Sequence, residues 1–308
     1  MGPAKIATLA KFVAESCDAL DGLADGIISN YLACPGHVDL KRLRCDGGQD
    51  RGDACLADAQ IALVTAVHSP FVLPFPVANG ITTYPQWLYG NETTPDPQAA
   101  TMARWVTGQA APTSAVDAAA SQQWLYGANS VRFFVTRDAN LDPATYDPSK
   151  YRARIEQVSA LIDSTNPDLT AFFAHGGKLI MRENTGDLAQ SPLAGINYFQ
   201  AMVAKVGQSV ADRSARLYVS PGSTHTGQAT RVTDGSPVPT MIDLLDPLDR
   251  WVTSGEAPPD ALVQTLKSIE PPHEVKESRP MCRYPNYPHY TGGDAKQAAS
   301  YTCTPSMP

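Results

Sequence analysis

The sequence has little charge and no long apolar run. Only 18% of its 308 residues are Asp, Glu, Lys or Arg, and the formal net charge is −7. No basic patch is present to grip a phosphate backbone, which argues against nucleic-acid binding. No stretch of about eighteen apolar residues occurs, so nothing reads as a membrane-spanning helix. Internal repeats, low-complexity tracts and Cys-x-x-Cys pairs are missing as well. The six histidines are scattered, and a zinc site is therefore a disfavoured reading of the cysteines. The start carries no succession of cationic stretch, apolar core and cleavage site, so no signal peptide is legible. After Met1 to Ile6, an amphipathic stretch to Phe12-Val13 reads instead as a helix.

What is present begins with six cysteines. An even set in clustered spacings fits a disulfide framework formed in an oxidising compartment, although six cysteines allow about fifteen connectivities. A disulfide framework points to export, yet the export signal is not in these residues. The expectation is that residue 1 lies inside a longer protein.

The run Cys17-Asp18-Ala19-Leu20-Asp21-Gly22-Leu23-Ala24-Asp25-Gly26-Ile27 places three carboxylates among two glycines. Calcium takes oxygen ligands from carboxylates and backbone carbonyls, and glycine lets the chain turn tightly round an ion. The spacing is not that of an EF-hand. The plainer alternative is an acidic Asp-Gly turn.

Along the chain, residues 17–170 are rich in Ala, Pro, Thr and aromatics and show little strand pattern. Helical spacing appears from Ala57 to His68 and from Tyr151 to Asp163. From Phe172 onward the texture changes. Lys178 to Met181 and Arg216 to Ser220 read as buried strands, and Leu193–Val206 and Thr240–Thr253 as helices. Strand, helix, strand, helix is the pattern of a doubly wound parallel α/β sheet. In such sheets functional groups collect beyond the carboxyl ends of the strands. Asp187 follows the first strand and His225 the second. His175 precedes the first strand, at the wrong end for chemistry, and His37, His68, His273 and His289 match no catalytic motif.

Several motifs, in one order, resemble the tannase and feruloyl esterase family of α/β-hydrolases. They are Cys-Asp-x-x-Asp-Gly-x-x-Asp-Gly from Cys17, Cys34, Arg44-Cys45, and Cys55-Leu56 followed by Gln60. Gly176-Gly177-Lys178-Leu179-Ile180, Asp187 with Ser191-Pro192, Asn197-Tyr198-Phe199 and Pro221-Gly222 with His225 follow. The last is the terminal segment from Arg279-Pro280-Met281-Cys282 to Tyr301-Thr302-Cys303. The match is weakest from Ser69 to Thr170. Within the family, the acidic run and the Arg44-Cys45-x-Gly47-Gly48 spacing side with the mono(2-hydroxyethyl) terephthalate hydrolases.

This resemblance implies a division into residues 1–16, a helix of the catalytic core; 17–170, a mostly helical and loop-rich calcium-binding lid; and 171–308, the C-terminal half of the parallel sheet of an α/β-hydrolase. It implies the disulfides Cys17–Cys34, Cys45–Cys55 and Cys282–Cys303. It implies a structural Ca2+ held by the side chains of Asp18, Asp21 and Asp25 and the backbone oxygens of Leu23 and Ile27. It makes Asp187 and His225 the acid and histidine of a catalytic triad, in the hydrolase order. The nucleophile is missing. No Gly-x-Ser-x-Gly elbow occurs; in the family it lies upstream of the calcium loop, before Met1. Ser223 shares the histidine's own loop and cannot replace it, so this chain alone is expected not to turn over ester.

Two departures stand out. Thr226 follows His225 where the family usually has a cysteine bonded to one beside the nucleophile. Glu183-Asn184 replaces a frequent His-Gly, which puts a second acid near Asp187. On the substrate side, Ala189 is expected beside the triad, the aromatics including Phe133 over an aromatic acyl group, and Arg132 or Arg137 on a substrate carboxylate.

The expected protein is thus a secreted or periplasmic serine carboxylesterase for feruloyl, galloyl or terephthaloyl esters, monomeric at full length, with no nucleic-acid or membrane partner. The alternative is a non-catalytic calcium-binding fragment or interaction protein; a metal-dependent hydrolase is disfavoured by the scattered histidines. An isolated half-sheet would expose an edge, and poor solubility is expected of it.

Overall fold

A computed structural model describes residues 1–93, 102–113 and 119–306. Helix α1 (Pro3–Cys17) opens the chain with proline in its first turn, where no amide partner is lost. Its face Ile6, Leu9, Val13 and Cys17 has helical spacing and packs with Leu56, Val64, Tyr89, Met102 and Leu188 in one apolar cluster. The next stretch is loops and short helices: α2 (Asp58–Val67), α3 (Gln122–Asn129), α4 (Arg152–Ile162) and α5 (Thr170–Ala174). A two-residue hairpin, β1 (Phe71–Val72) with β2 (Thr83–Tyr84), lies among them. The bridges Cys17–Cys34, Cys45–Cys55 and Cys282–Cys303 all form, with Cα–Cα distances of 5.1, 4.9 and 5.6 Å.

The second half is built on β3 (Leu179–Asn184), α6 (Pro192–Val206), α7 (Gln208–Ser214), β4 (Ala215–Ser220), α8 (Leu245–Ser254), β5 (Ala261–Lys267) and β6 (Val275–Arg283). A ribbon of β7 (Asn286–Tyr290) and β8 (Tyr301–Pro305) follows. Strand order in the main sheet is β3-β4-β6-β5. All six residues of β4 are buried, Arg216 and Ser220 among them, as befits a strand with neighbours on both sides. Ile196, Phe199 and Met202 of α6 cover one face against Ala215, Leu217 and Val219. Tyr218, Leu262 and Met281 form the core on the other.

The expectation of a parallel sheet needs correction. β3 and β4 are parallel, but β4 pairs with β6, and β6 with β5, in antiparallel fashion; the sheet is mixed. β5 and β6 escape the sequence pattern because polar side chains occupy buried positions on them: Gln264, Glu277 and Arg279. Each is bonded inside, Gln264 to Ser220 and Glu277 to Arg231, so burial is tolerated. The last helix also starts later than expected. Met241 exchanges two backbone hydrogen bonds with Thr265, at 3.1 and 2.9 Å, an isolated bridge that keeps this residue out of the helix. Asp243 then caps α8 by accepting from Leu245 and Asp246.

Candidate active site

Parallel pairing of β3 and β4 in register, Asn184 opposite Ser220, brings their carboxyl ends side by side. The loops that leave them are stitched together by Gly186 N–H to Ser223 O at 2.9 Å and Gly222 N–H to the Thr185 hydroxyl at 2.8 Å. Gly222, at φ +69°, turns the chain back over the strand ends. His225 Nδ1 and Asp187 Oδ2 thereby lie 2.8 Å apart.

Asp187 is buried, and its other oxygen accepts from the amides of Ala189 at 2.8 Å and Gln190 at 3.2 Å. A carboxylate fixed by three donors is held as an acceptor. The proton on the facing ring nitrogen therefore sits on Nδ1, leaving the lone pair on Nε2. The His225 side chain is 53% exposed, and Nε2 meets no hydrogen-bond partner among the described residues. This is an oriented base with its working nitrogen open.

Ser223 is fully buried and bonded to Ser220 Oγ at 2.6 Å. That hydroxyl also receives Gln264 Nε2 at 2.7 Å, so Ser223 belongs to a packed polar network rather than to the base. His175 is exposed before β3.

Beside His225 opens a cavity of about 580 Å³ lined by Tyr84, Trp87, Trp105, Gln123, Tyr126 and Ala189. Trp105 and Tyr126 stack in parallel at 5.8 Å, and Tyr84 tilts against Trp87 at 5.4 Å. Ala189 lines this cavity together with His225. Arg132 and Phe133 do not line this cavity: Arg132 Nε donates to Leu141 O at 2.8 Å, and Phe133 is 59% exposed. Tyr84, Gln123 and Tyr126 were not anticipated. Tyr84 is legible only in three dimensions, since its hydroxyl accepts the Ser191 amide 107 residues away at 2.8 Å.

The acidic run forms a separate arrangement. Cys17 leads into a 3-10 turn, Asp18–Asp21, ended by Gly22 at φ +93°. Asp18 accepts from the amides of Asp25, Gly26 and Ile27, and burial raises its pKa. Asp25 is taken by Arg279, a buried cation that also bonds the Tyr301 hydroxyl and stacks on its ring. Asp21 is fully buried and accepts the Leu23 amide with Oδ1, but its Oδ2 has no partner among the described residues. Burial pushes its pKa up to about 7. The Ile27 carbonyl accepts from Ser29. Among the described residues no three acidic or histidine groups stand ready around one point. The orphaned Asp21 oxygen is nonetheless an acceptor that a hard cation would satisfy.

An α/β fold with an acid–histidine pair at its strand ends and an open imidazole defines a hydrolase-type scaffold. Residues 1–304 match the family model described as tannase and feruloyl esterase, and the chain belongs to this family. It is similar to a probable feruloyl esterase of Arthroderma benhamiae, 29% identical over 94% of this chain and 50% of that protein. It is also similar to the mono(2-hydroxyethyl) terephthalate hydrolase of Piscinibacter sakaiensis, 28% identical over 96% of this chain and 51% of the relative. The fold matches feruloyl esterase B from Aspergillus oryzae at a TM-score of 0.73 and 22% identity, over 98% of this chain and 56% of that structure. The chain spans about half the length of the curated relatives it matches.

Proposed function

We propose that this chain carries the acid and the histidine of a serine carboxylesterase for esters of aromatic acids, of the feruloyl, galloyl or terephthaloyl kind. The observation that carries the reading is the 2.8 Å contact of Asp187 with His225, with Nε2 free to face a hydroxyl. Asp187 orients the ring and stabilises its charged form; His225 takes the proton of an attacking serine and returns it to the leaving alcohol. The serine and its oxyanion hole are supplied from outside these residues. The cavity of stacked aromatic rings beside Ala189 suits a planar acyl group. Residues 17–170 serve as the lid over it.

Calcium is a structural ion in this reading and makes or breaks no bond. Asp21 would hold it through its unpartnered oxygen, with Asp18, Asp25 and the carbonyls of Leu23 and Ile27 around it, and binding would release protons. Arg279 competes for Asp25. The three disulfides favour a secreted or periplasmic setting. The full-length form is a monomer.

The test is turnover of methyl ferulate and mono(2-hydroxyethyl) terephthalate. The chain alone is expected to be inactive. Adding in trans the N-terminal part of a relative, with its Gly-x-Ser-x-Gly elbow, is expected to restore turnover that H225Q removes. Restored turnover unaffected by H225Q would overturn the assignment.

A further inference from the structure

Asp187 is gripped on both sides by side chains from segments far earlier in the chain. Gly186 and Leu188, the residues before and after it, are both buried. Asn91 Nδ2 donates to Gly186 O at 2.5 Å, and Gln123 Nε2 donates to Leu188 O at 3.3 Å. A carbonyl only accepts, so each amide side chain must turn its nitrogen towards the loop. Asn91 is 4% exposed, on a turn where Gly90, at φ +110°, gives its amide to the Glu92 carboxyl at 3.0 Å. Gly186 is also where the acid loop, the histidine loop and Asn91 meet. Its own amide donates to Ser223 O. A Cβ there would stand 2.9 Å from Gly222 O and 3.0 Å from Asn91 Cγ and Ser223 O. The peptide that follows Leu188 supplies the Ala189 amide accepted by Asp187 Oδ1.

We propose that Asn91 is a positioning residue of the dyad, a peg that fixes the Asp187 loop against the His225 loop, with Gln123 as its weaker counterpart. The inference rests on the reading of Asp187 and His225 as a catalytic pair. Asn91 acts through the backbone: it bonds Gly186, and Gly186 bonds the histidine loop at Ser223. Without the Asn91 donor, Gly186 O is a buried acceptor left unpaired, and the loop shifts to find another partner. Asp187 moves with it while His225 stays on its own loop, so the 2.8 Å contact lengthens. A displacement of that kind lowers the rate of a reaction although every reacting group is still present. Gln123 holds the other side of the acid by a longer bond, so its removal has the smaller effect.

NMR of the full chain tests this with a readout independent of turnover, the His225 Nδ1–H signal. Asn91→Leu, close in size and without a donor, is expected to shift that signal upfield and to speed its exchange with water about tenfold. Gln123→Leu is expected to do the same to a smaller extent. Gly186→Ala, which wedges Asn91 and the histidine loop away from the acid loop, is expected to act as Asn91→Leu does. Leu262→Ala on β5 is the control. It loosens the core on the other face of the sheet and lowers the melting midpoint while leaving the signal in place. An unshifted signal in folded Asn91→Leu overturns the proposal; should that variant not fold, an unshifted signal in Gly186→Ala overturns it. An equal shift in Leu262→Ala overturns it as well, because general loosening would then suffice. Asp187→Asn separates the two claims. If it leaves the His225 Nδ1–H signal unchanged, the dyad itself falls. If it abolishes that signal while Asn91→Leu changes nothing, only the role of Asn91 falls.

Discussion

Asp187 and Asp21 are both loop aspartates hidden from water, and they are treated oppositely by their surroundings. Asp187 has its oxygens engaged by two backbone amides and an imidazole. Asp21 has one amide, and one oxygen with no donor among the described residues. Burial that outweighs its few partners is what drives Asp21 towards neutrality. The first loop is complete as folded and needs only a proton donor at its rim. The second sets one buried cation, Arg279, against the three carboxylates Asp18, Asp21 and Asp25. The proposed function assigns the chemistry to the first and a cation to the second.

The sharpest way to break the comparison is to replace each acid by its amide. In the assembled esterase, Asp187→Asn is expected to lower kcat by about 10,000-fold, because an amide facing Nδ1 stabilises the wrong tautomer. Asp21→Asn is expected to leave kcat unchanged and to raise the stability of the calcium-free chain at neutral pH by about 2 kcal/mol, the cost of an unsatisfied buried group. Steady-state kinetics and urea melts read both. A loss of activity from Asp21→Asn would erase the distinction.

The two loops also differ in what ties them down. Cys17–Cys34 closes a short loop around the acidic run, whereas the Asp187 and His225 loops are held by hydrogen bonds between strand ends. Replacing both cysteines by alanine is expected to cost about 3 kcal/mol by the chain-entropy estimate. The loss should appear in the denaturant midpoint and leave the His225 Nδ1–H signal intact. A matching loss of that signal would mean that the two regions are one cooperative site.

In the proposed function calcium would act on the acidic loop alone. Asp21 has a folded pKa of about 7 against 3.8 when unfolded, so the native chain binds the extra proton between these values. Stability without metal therefore falls as pH rises from about 4 to 7, and the full penalty remains above 7. Calcium at a hundredfold excess over its Kd is expected to return about 2.7 kcal/mol, as a rise in Tm at pH 8 that shrinks at pH 5. A Tm indifferent to calcium and chelator at both pH values would remove the ion from the account.

The contrast also explains what the sequence could reveal. Asp187 and His225 were legible because each follows an apolar run, and strand, loop, polar residue is a local pattern. The acidic loop was legible as charge between glycines, but not its state, since Arg279 enters it from β6, 254 residues beyond Asp25. The same residue, with Glu277 and Gln264, left β5 and β6 without a legible strand pattern, because buried polar side chains break the alternation that marks a strand. Parallel pairing was inferred from β3 and β4, where the connection is a helix; the antiparallel partners lay beyond that signal. The cavity was the least legible part. Phe133 and Arg132 are adjacent to α3 in sequence, yet that helix turns Gln123 and Tyr126 to the cavity.

The smallest expected effect tests that last point. Tyr126 is 63% exposed and stacks on Trp105, so it forms a wall of the cavity while its own burial contributes little to the fold. Aromatic pairs contribute about 1 kcal/mol beyond area burial, which for Tyr126→Leu corresponds to roughly a fivefold rise in KM for an aromatic acyl ester. kcat should be unchanged, because the ring touches no reacting atom. Phe133→Leu, outside the cavity, should alter neither constant. Equal KM effects from the two variants would relocate the acyl site to the exposed segment around Phe133, while a kcat effect from Tyr126→Leu would place the ring against the reacting carbonyl.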